Sequence, residues 1–281
     1  MKSQQYALLA FFLFAPITMA AKEIAITIDD LPYVGNANTP DKLRREEARF
    51  SKVLATLKAE NVPATGFVVP SSIEKDQWAL LEAFKQQGNT IANHTYSHPS
   101  LNNMSAEKYI QNIERADQIL APLMGKEKFF RYPFLATGNN CQKSLAVSNY
   151  LKQQGYTIAP VTIDAKDFNW NQRLHNVPWR MRASRLPYFK QHYLDATWAR
   201  TKKAEQKTQE ITGRAIPQIW LVHMNTLNSH FLGDAIRLYK QNGYRFVTLA
   251  QAMQDPFYRS EKVKLLEGVP NCQPKIDQGT E

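Results

Sequence analysis

Short apolar segments alternate with amphipathic helical segments along most of this chain, and this alternation restricts its fold more than any other feature. The apolar segments that we interpret as strands are residues 24–28, 66–69, 90–92, 129–132, 156–163, 219–222 and 244–247. Repeated strand–helix units predict a sheet of parallel strands with the helices packed outside it. About seven such units in one domain favour an α/β barrel, although periodicity alone leaves an open sheet as the alternative.

Boundary signals support the helices between these strands. Thr39 followed by Pro40 is an N-cap with a proline in the first turn, and Ser105 is a second N-cap. The alternation pauses over residues 168–212, a longer segment that is aromatic and basic, with a helix predicted from Tyr188 onward. We expect this segment to pack a long helix against the barrel.

The start of the chain has the pattern of a secretory signal peptide. A lysine precedes an apolar run, and small residues end at Ala20, where we expect cleavage. The run is short for a membrane span, so we expect no stable membrane insertion, with an uncleaved anchor as the alternative. These boundaries predict a signal peptide at 1–20, one folded domain at 21–256 and a polar tail at 257–281, in a protein exported to the periplasm or the cell exterior.

Charge and cysteine content bear on the partners and the compartment. A net charge of +10 suits attraction to an anionic envelope polymer, or it serves solubility alone. No basic stripe or nucleic-acid-binding motif occurs, so we expect no nucleic-acid partner. Export permits a disulfide, and Cys141 and Cys272 would join the tail to the domain if they pair, which the sequence leaves open.

Residues able to hold a metal follow two of the predicted strands. Asp29 and Asp30 end the first strand, where one carboxylate can bind a metal while the other faces a substrate, with a turn or capping pair as the alternative. His94 and His98 follow the third strand, and histidines four residues apart lie on one face of a helical turn, from which both rings reach one ion. Because barrel active sites gather at the carboxyl ends of strands, we expect these four side chains to meet.

Three further strand ends carry residues suited to chemistry. Arg131 ends the fourth strand and can hold a carboxylate, for which Asp167, after the fifth strand, is the expected partner. Phe168 and Trp170 follow Asp167 and are candidates to wall an apolar pocket. His223 ends the sixth strand, where it is either a buried structural residue or, beside a metal centre, a general acid.

In order and content, these five strand ends resemble the motifs of the polysaccharide deacetylase family, also called carbohydrate esterase family four. The matching segments are residues 27–32, 94–98, 131–134, 164–167 and 221–223. Two positions depart from the family pattern, since Leu31 stands where the family has glycine and Phe168 stands where it has tryptophan. We expect Leu31 to narrow the active-site cleft, and the second departure leaves open which ring lines the acyl pocket.

The resemblance implies a fold and a cofactor. The fold is a distorted, incomplete (β/α) barrel with about seven parallel strands in a single domain. The cofactor is one divalent metal ion, commonly zinc (Zn²⁺), held by Asp30, His94 and His98.

The resemblance also implies a division of catalytic roles. Asp29 becomes the general base, steadied by Arg131, which Asp167 holds in turn. The backbone N–H of Tyr132 faces the oxyanion, and His223 protonates the leaving amine. These roles match what amide hydrolysis needs, namely a base for water, a charge partner for the oxyanion and an acid for the amine.

The implied substrate is an N-acetylated glycan. We expect removal of acetyl groups from an N-acetylglucosamine-containing glycan such as peptidoglycan or a chitin oligosaccharide, with Phe134, Trp170 and Leu221 in the substrate pocket. The aromatic segment 168–200 is either part of the packing already described or a platform for sugar rings. The alternatives to an N-deacetylase are an O-acetyl esterase on xylan or an envelope polysaccharide, a hydrolase of small amides, and a non-catalytic glycan-binding protein on the same fold.

Overall fold

The computed structural model describes residues 22–33, 39–74 and 77–267. Its strands are β1 (Lys22–Leu31), β2 (Ala64–Val68), β3 (Thr90–Asn93), β4 (Lys128–Phe130), β5 (Tyr156–Ile158), β6 (Ile163–Asp164), β7 (Gln218–His223) and β8 (Tyr244–Phe246). Its α-helices are α1 (Pro40–Ala59), α2 (Trp78–Gln86), α3 (Ala106–Leu120), α4 (Cys141–Gln153), α5 (Asp167–Asn176), α6 (Trp179–Thr212), α7 (Thr226–Gln241), α8 (Leu249–Ala252) and α9 (Lys264–Glu267). Short 3-10 helices lie at Pro70–Ser72, Leu101–Asn103, Pro133–Leu135, Pro256–Arg259 and Glu261–Val263.

The strands form one parallel sheet that curls into an incomplete barrel. Their order is β5-β4-β3-β2-β1-β7-β6, and β8 pairs with β1. β5 and β6 are neighbours in the chain but stand at opposite ends of this order, so residues 159–162 span the opening between them. The expected distorted, incomplete barrel is confirmed. The predicted strand 156–163 is two strands, because Pro160 has no N–H to donate to a ladder.

β1 lies in the middle of the sheet and places the first functional residues. Residues 24–28 are at most 1 % exposed, as expected for a parallel strand covered on both faces. After the half-buried start of this strand, the next charged side chains are Asp29 and Asp30 at its carboxyl end. β1 therefore carries two carboxylates from the core to the rim of the barrel.

The capping signals in the sequence mark the helix starts correctly. The Thr39 side chain accepts a hydrogen bond from the backbone N–H of Lys42 at the start of α1, and the Ser105 side chain accepts one from Lys108 at the start of α3. Each cap satisfies a helix N–H that has no intrahelical partner.

The segment that interrupts the alternation forms α5 and α6, and α6 is 34 residues long. It begins at Trp179 rather than at the predicted Tyr188. The Tyr193 side chain is fully buried, and the ring centroid of Trp198 lies 6.1 Å from that of Tyr239 on α7. Packing against the barrel is therefore the role of the middle of this helix, whereas Trp179 is 74 % exposed.

Several sequence predictions fall outside the described residues. The signal peptide at 1–20 and Cys272 are among them, so cleavage, export and the pairing of Cys272 with Cys141 stay predictions. Within the ranges that the structure describes, no helix has the length and apolar character needed to cross a membrane.

Candidate active site

The carboxyl ends of several strands open into one cleft with a volume of about 650 Å³. The predicted site residues that line it are Asp29, Asp30, His94, His98, Phe134, Leu221 and His223. Other lining residues include Val69, Ser71, Ser97, Leu135, Asp164, Lys166, Phe168, Asn171 and Asn225. The cleft is the point where the predicted motifs converge.

Both carboxylates at the end of β1 face this cleft because the strand is irregular there. Neighbouring side chains of a regular strand point to opposite faces. The pairing of β1 with β2 shifts register between Ile28 and Leu31, and Asp30 has a left-handed backbone with a φ of 63°. A left-handed backbone is costly for a residue with a side chain and is found at functional sites. In this chain it turns Asp30 to the same side as Asp29.

Leu31 does not narrow the cleft, so that expectation is wrong. Its side chain is 0 % exposed and belongs to the core. It lies over Gly66 of β2, where an added Cβ would approach Cδ2 of Leu31 to 2.3 Å. Glycine at residue 66 leaves the room that the leucine occupies, and the departure from the family pattern is absorbed inside the barrel.

His94 and His98 meet through a loop, not through a helical turn. No helix is assigned over residues 94–100, and both Thr95 and His98 have left-handed backbones with φ of 66° and 55°. The two ring centroids lie 4.9 Å apart. The predicted convergence is therefore present, but the premise that a helical turn produces it is wrong.

Asp30, His94 and His98 have a geometry that fits one divalent ion. Nε2 of His98 lies 3.2 Å from Oδ1 of Asp30, and Nε2 of His94 lies 3.7 Å from the same oxygen. One donor atom from each residue lies within 4.8 Å of the others. Tetrahedral ligands with bonds of about 2.1 Å stand about 3.4 Å apart, so these spacings suit such an ion.

The hydrogen bond of His94 and the lowered pKa of His98 also fit metal binding. Nδ1 of His94 lies 2.9 Å from the backbone carbonyl of Arg131, and because a carbonyl only accepts, Nδ1 carries the hydrogen. Nε2, on the side of Asp30, is therefore the ring nitrogen left to bind a metal. Burial, together with the neighbouring His94, lowers the pKa of His98 and favours the neutral ring.

Arg131 is fully buried and its guanidinium holds Asp29. Nη1 donates to Oδ1 of Asp29 at 2.8 Å and to Oγ1 of Thr27 at 2.6 Å. Nε and Nη2 donate to the backbone carbonyls of Ala159 and Pro160 at 3.4 and 3.3 Å. The predicted contact of Arg131 with Asp167 is wrong, because the loop between β5 and β6 supplies backbone acceptors in its place.

Asp167 pairs with His223. Its Oδ1 lies 2.8 Å from Nδ1 of His223, and its Oδ2 accepts from the backbone N–H of the same residue at 2.9 Å. Burial raises the pKa of Asp167, but the charge and hydrogen bonds of His223 outweigh it and leave that pKa lowered. Burial lowers the pKa of His223, but Asp167 outweighs it and raises the pKa to about 10. The pair therefore keeps a proton on His223 at neutral pH.

The aromatic side of the cleft differs from the prediction at one residue. Phe134 and Leu221 line the cleft, but Trp170 does not, because it turns toward α6, where its ring centroid lies 6.1 Å from that of His192. Phe168 lines the cleft instead, and its ring meets that of His223 edge-on at 5.6 Å. Of the two rings that the sequence leaves as candidates, Phe168 is therefore the one that lines the cleft, and the placement of Trp170 in the substrate pocket is wrong.

Tyr132 lies next to the cleft in a smaller cavity. Its ring stacks on Tyr109 at a centroid distance of 6.1 Å, and it precedes the short helix Pro133–Leu135. The contact of its backbone N–H with an oxyanion stays a prediction.

Sequence reasoning missed the amide side chains around Asp167. Nδ2 of Asn225 donates to Oδ2 of Asp167 at 2.7 Å, and Nδ2 of Asn228 donates to the same oxygen at 2.6 Å. Asn225 is also the N-cap of α7. An asparagine before a helix was a readable capping signal, but nothing local pointed to Asp167 as the partner.

Comparison with known proteins identifies the family of this chain. A family model described as polysaccharide deacetylase matches residues 17–159, a little more than half of the chain. A peptidoglycan-N-acetylglucosamine deacetylase from Bacillus cereus is 26 % identical over 240 residues, which cover 83 % of this chain and 68 % of that protein. A chitin deacetylase from Colletotrichum lindemuthianum is 28 % identical over 53 % of this chain and 54 % of its own length.

Similarity of structure alone shows only the fold. A pseudoenzyme of carbohydrate esterase family four from Bacillus anthracis matches with a TM-score of 0.57 at 15 % identity, over 83 % of this chain and 66 % of its own. A shared fold therefore does not establish activity. The family match is more informative, because it spans the segment that carries Asp29, Asp30, His94, His98 and Arg131. This chain belongs to the polysaccharide deacetylase family of hydrolases.

Proposed function

We propose that the protein is a metal-dependent deacetylase that hydrolyses the acetamide group of N-acetylglucosamine units in a glycan outside the cytoplasm. The observation that carries this proposal is the order of groups along the strand ends. β1 stands between β2 and β7 in the sheet, and β3 follows β2. Asp29 and Asp30 therefore lie between the histidines after β3 and His223 on β7, with a base candidate and an acid candidate in one cleft.

The metal candidates and the base candidate are adjacent. Asp30, His94 and His98 would hold one divalent cation, which when bound polarises the acetyl carbonyl and lowers the pKa of water. Arg131 donates a hydrogen bond to Oδ1 of Asp29, while Oδ2 of Asp29 lies 3.7 Å from Nε2 of His94. Oδ2 of Asp29 thus lies beside the metal candidates and is the oxygen that would accept the proton lost by the attacking water.

His223 suits the second proton transfer. Asp167 fixes Nδ1, so Nε2 is the atom left to give its proton to the departing amine. An amine is a poor leaving group unless protonated, whereas many ester leaving groups depart without that help. A histidine of the cleft held by a buried aspartate therefore favours amide hydrolysis over the O-acetyl esterase alternative.

The substrate class rests on the surroundings of the site. The cleft is open and carries hydroxyl and amide side chains such as Ser71, Ser97 and Asn171 beside the apolar Phe134 and Phe168. Sugars bind to this mixture of polar groups and aromatic rings. The relatives from Bacillus cereus and Colletotrichum lindemuthianum are deacetylases of peptidoglycan and of chitin, which supports an N-acetylated glycan as the substrate.

Acetate release from a panel of substrates tests the proposal. Purified protein loaded with zinc is incubated with chitin oligosaccharides, peptidoglycan fragments and acetylated xylan, with and without a chelator. We expect chelator-sensitive release from the first two substrates and little from xylan. The Asp29→Asn variant, prepared in parallel, should release acetate at least about 100-fold more slowly, and this loss excludes a contaminating enzyme as the source.

Other outcomes separate the alternatives. Faster acetate release from acetylated xylan than from the N-acetylated substrates would identify the protein as an O-acetyl esterase instead of an N-deacetylase. Glycan binding without acetate release, equal in the wild type and Asp29→Asn, would indicate a non-catalytic binding protein. Chelator-insensitive release would contradict the metal site.

A further inference from the structure

Asp167 is held by more than its histidine partner. It accepts hydrogen bonds from Nδ1 and the backbone N–H of His223, and from the side-chain amides of Asn225 and Asn228. Its side chain is 0 % exposed, so these bonds replace water as the partners of its charge. Any residue that fixes this carboxylate also fixes the ring of His223.

Both ends of the Asn228 side-chain amide form hydrogen bonds in this arrangement. Nδ2 donates to Oδ2 of Asp167 at 2.6 Å and to the backbone carbonyl of His223 at 2.9 Å. Both neighbours are acceptors, so only the NH₂ end of the amide can face them. Asn228 is 2 % exposed and lies outside the lining of the cleft. It therefore acts on the reaction only through Asp167 and His223.

Tyr193 fixes the other end of the same amide. Its hydroxyl donates to Oδ1 of Asn228 at 2.9 Å, and its side chain is 0 % exposed. It lies on α6, the long helix for which the sequence predicts either packing against the barrel or a platform for sugar rings. α6 thus reaches the active site through one buried hydrogen bond.

We propose that Tyr193 and Asn228 are positioning residues for proton donation by His223. Tyr193 orients Asn228, Asn228 orients Asp167, and Asp167 orients the His223 ring toward the leaving amine. Buried polar networks of this kind hold catalytic groups in place when every member is satisfied. The inference rests on the proposed function, because it requires that His223 be the acid.

The test uses two substrates whose leaving groups differ. Full-length, zinc-loaded Asn228→Leu and Tyr193→Phe are assayed on a chitin oligosaccharide and on an aryl acetate ester. We expect kcat on the oligosaccharide to fall about 10- to 100-fold for Asn228→Leu, as for other residues that orient a functional group from behind. We expect a fall of about 2- to 10-fold for Tyr193→Phe, the worth of one hydrogen bond. KM and turnover of the ester should stay close to the wild-type values, because the ester leaving group needs little protonation.

Tyr239→Phe is the matched control. Tyr239 is also 0 % exposed, and its hydroxyl bonds Oγ1 of Thr201 at 2.7 Å, with no hydrogen bond to Asn228 or Asp167. A general loosening of the core would affect both tyrosine variants and both substrates alike. A selective loss on the oligosaccharide in Tyr193→Phe but not in Tyr239→Phe supports the inference.

Two results would overturn it. Equal losses on both substrates would assign Asn228 and Tyr193 a structural role only. Unchanged turnover of the oligosaccharide by a folded Tyr193→Phe, which remains the deciding variant should Asn228→Leu fail to fold, would remove Tyr193 from the network. His223→Ala is assayed alongside, and if it shows no preference for the ester, the proposed acid itself is wrong.

Discussion

The two sides of the cleft are built in different ways. On the side of β1 and β3, backbone geometry places the ligands, with left-handed residues at Asp30, Thr95 and His98. On the side of β6 and β7, side chains hold one another, since Asp167 bonds His223 and Asn228, which are 56 and 61 residues away along the chain. On the first side, the backbone turn that places each ligand is encoded within a few residues of that ligand. The second exists only when distant elements are packed together.

This difference explains which parts of the site can be predicted from the sequence. A ligand placed by its own loop leaves a short motif, such as the two histidines at 94 and 98 with their intervening residues. A carboxylate placed by distant partners leaves only an aspartate in a loop, so the sequence predicts Arg131 rather than His223 as the partner of Asp167. The following predictions test whether substitutions on the two sides also have different effects on turnover and metal content.

The largest effects are expected on the metal and base side. Asp29→Asn removes the proton acceptor but not a metal ligand, so turnover should fall about 10²- to 10⁴-fold while metal content stays near that of the wild type. Asp30→Asn should lose metal, with part of the rate restored by excess metal. Elemental analysis and acetate release measure both. Metal loss in Asp29→Asn with retention in Asp30→Asn would reverse the two roles.

On the acid side, His223→Ala should be slow but fully loaded with metal. We expect a loss of about 10²- to 10⁴-fold on an acetamido sugar and a smaller one on an aryl acetate. His94→Ala provides the contrast, because the loss of a metal ligand should lower the turnover of both substrates together with the metal content. An equal deficit of His223→Ala on both substrates would contradict its role as an acid.

The pH profile tests the Asp167–His223 pair. Because the pKa of His223 is raised to about 10, its proton is present at neutral pH and is lost as pH rises toward that value. A divalent cation beside Asp30 opposes this rise, so the alkaline limb of the holoenzyme should lie below 10. Asp167→Asn removes the favourable charge and should move the limb about 1 to 3 units lower.

Asp164→Asn is the control for this shift. Asp164 lines the same cleft, but its carboxylate pairs with Lys166 at 2.5 Å rather than with His223. The alkaline limb of the pH–activity profile of Asp164→Asn should match that of the wild type. Equal shifts in both variants would mean that the overall charge of the cleft, and not the pair, sets the limb.

The smallest effect expected separates Phe168 from Trp170. Phe168→Ala removes a ring from the cleft and should raise KM about 2- to 10-fold, in line with the worth of one aromatic contact. Trp170→Ala should leave KM unchanged and lower the melting temperature, because that ring packs toward α6. Steady-state kinetics and thermal unfolding measure the two effects, and a raised KM in Trp170→Ala alone would restore the original assignment of the pocket.

Some properties of this protein were determined by the sequence itself. Local periodicity and local hydrogen bonding determine the strand–helix order and the helix caps at Thr39 and Ser105. They also determine that Asp29, Asp30 and His94 lie at the ends of strands. Such signals need no knowledge of distant residues, so they can be read before the fold is known.

The tertiary structure alone decided which side chains meet. Arg131 reaches the carbonyls of Ala159 and Pro160, and Asp167 reaches His223, because the curl of the sheet and the split of the fifth predicted strand set the distances between elements. Phe168 rather than Trp170 faces the cleft because α5 begins at Asp167 and each helical residue turns the chain by about 100°. A contact between residues far apart in the chain depends on packing that no local pattern contains.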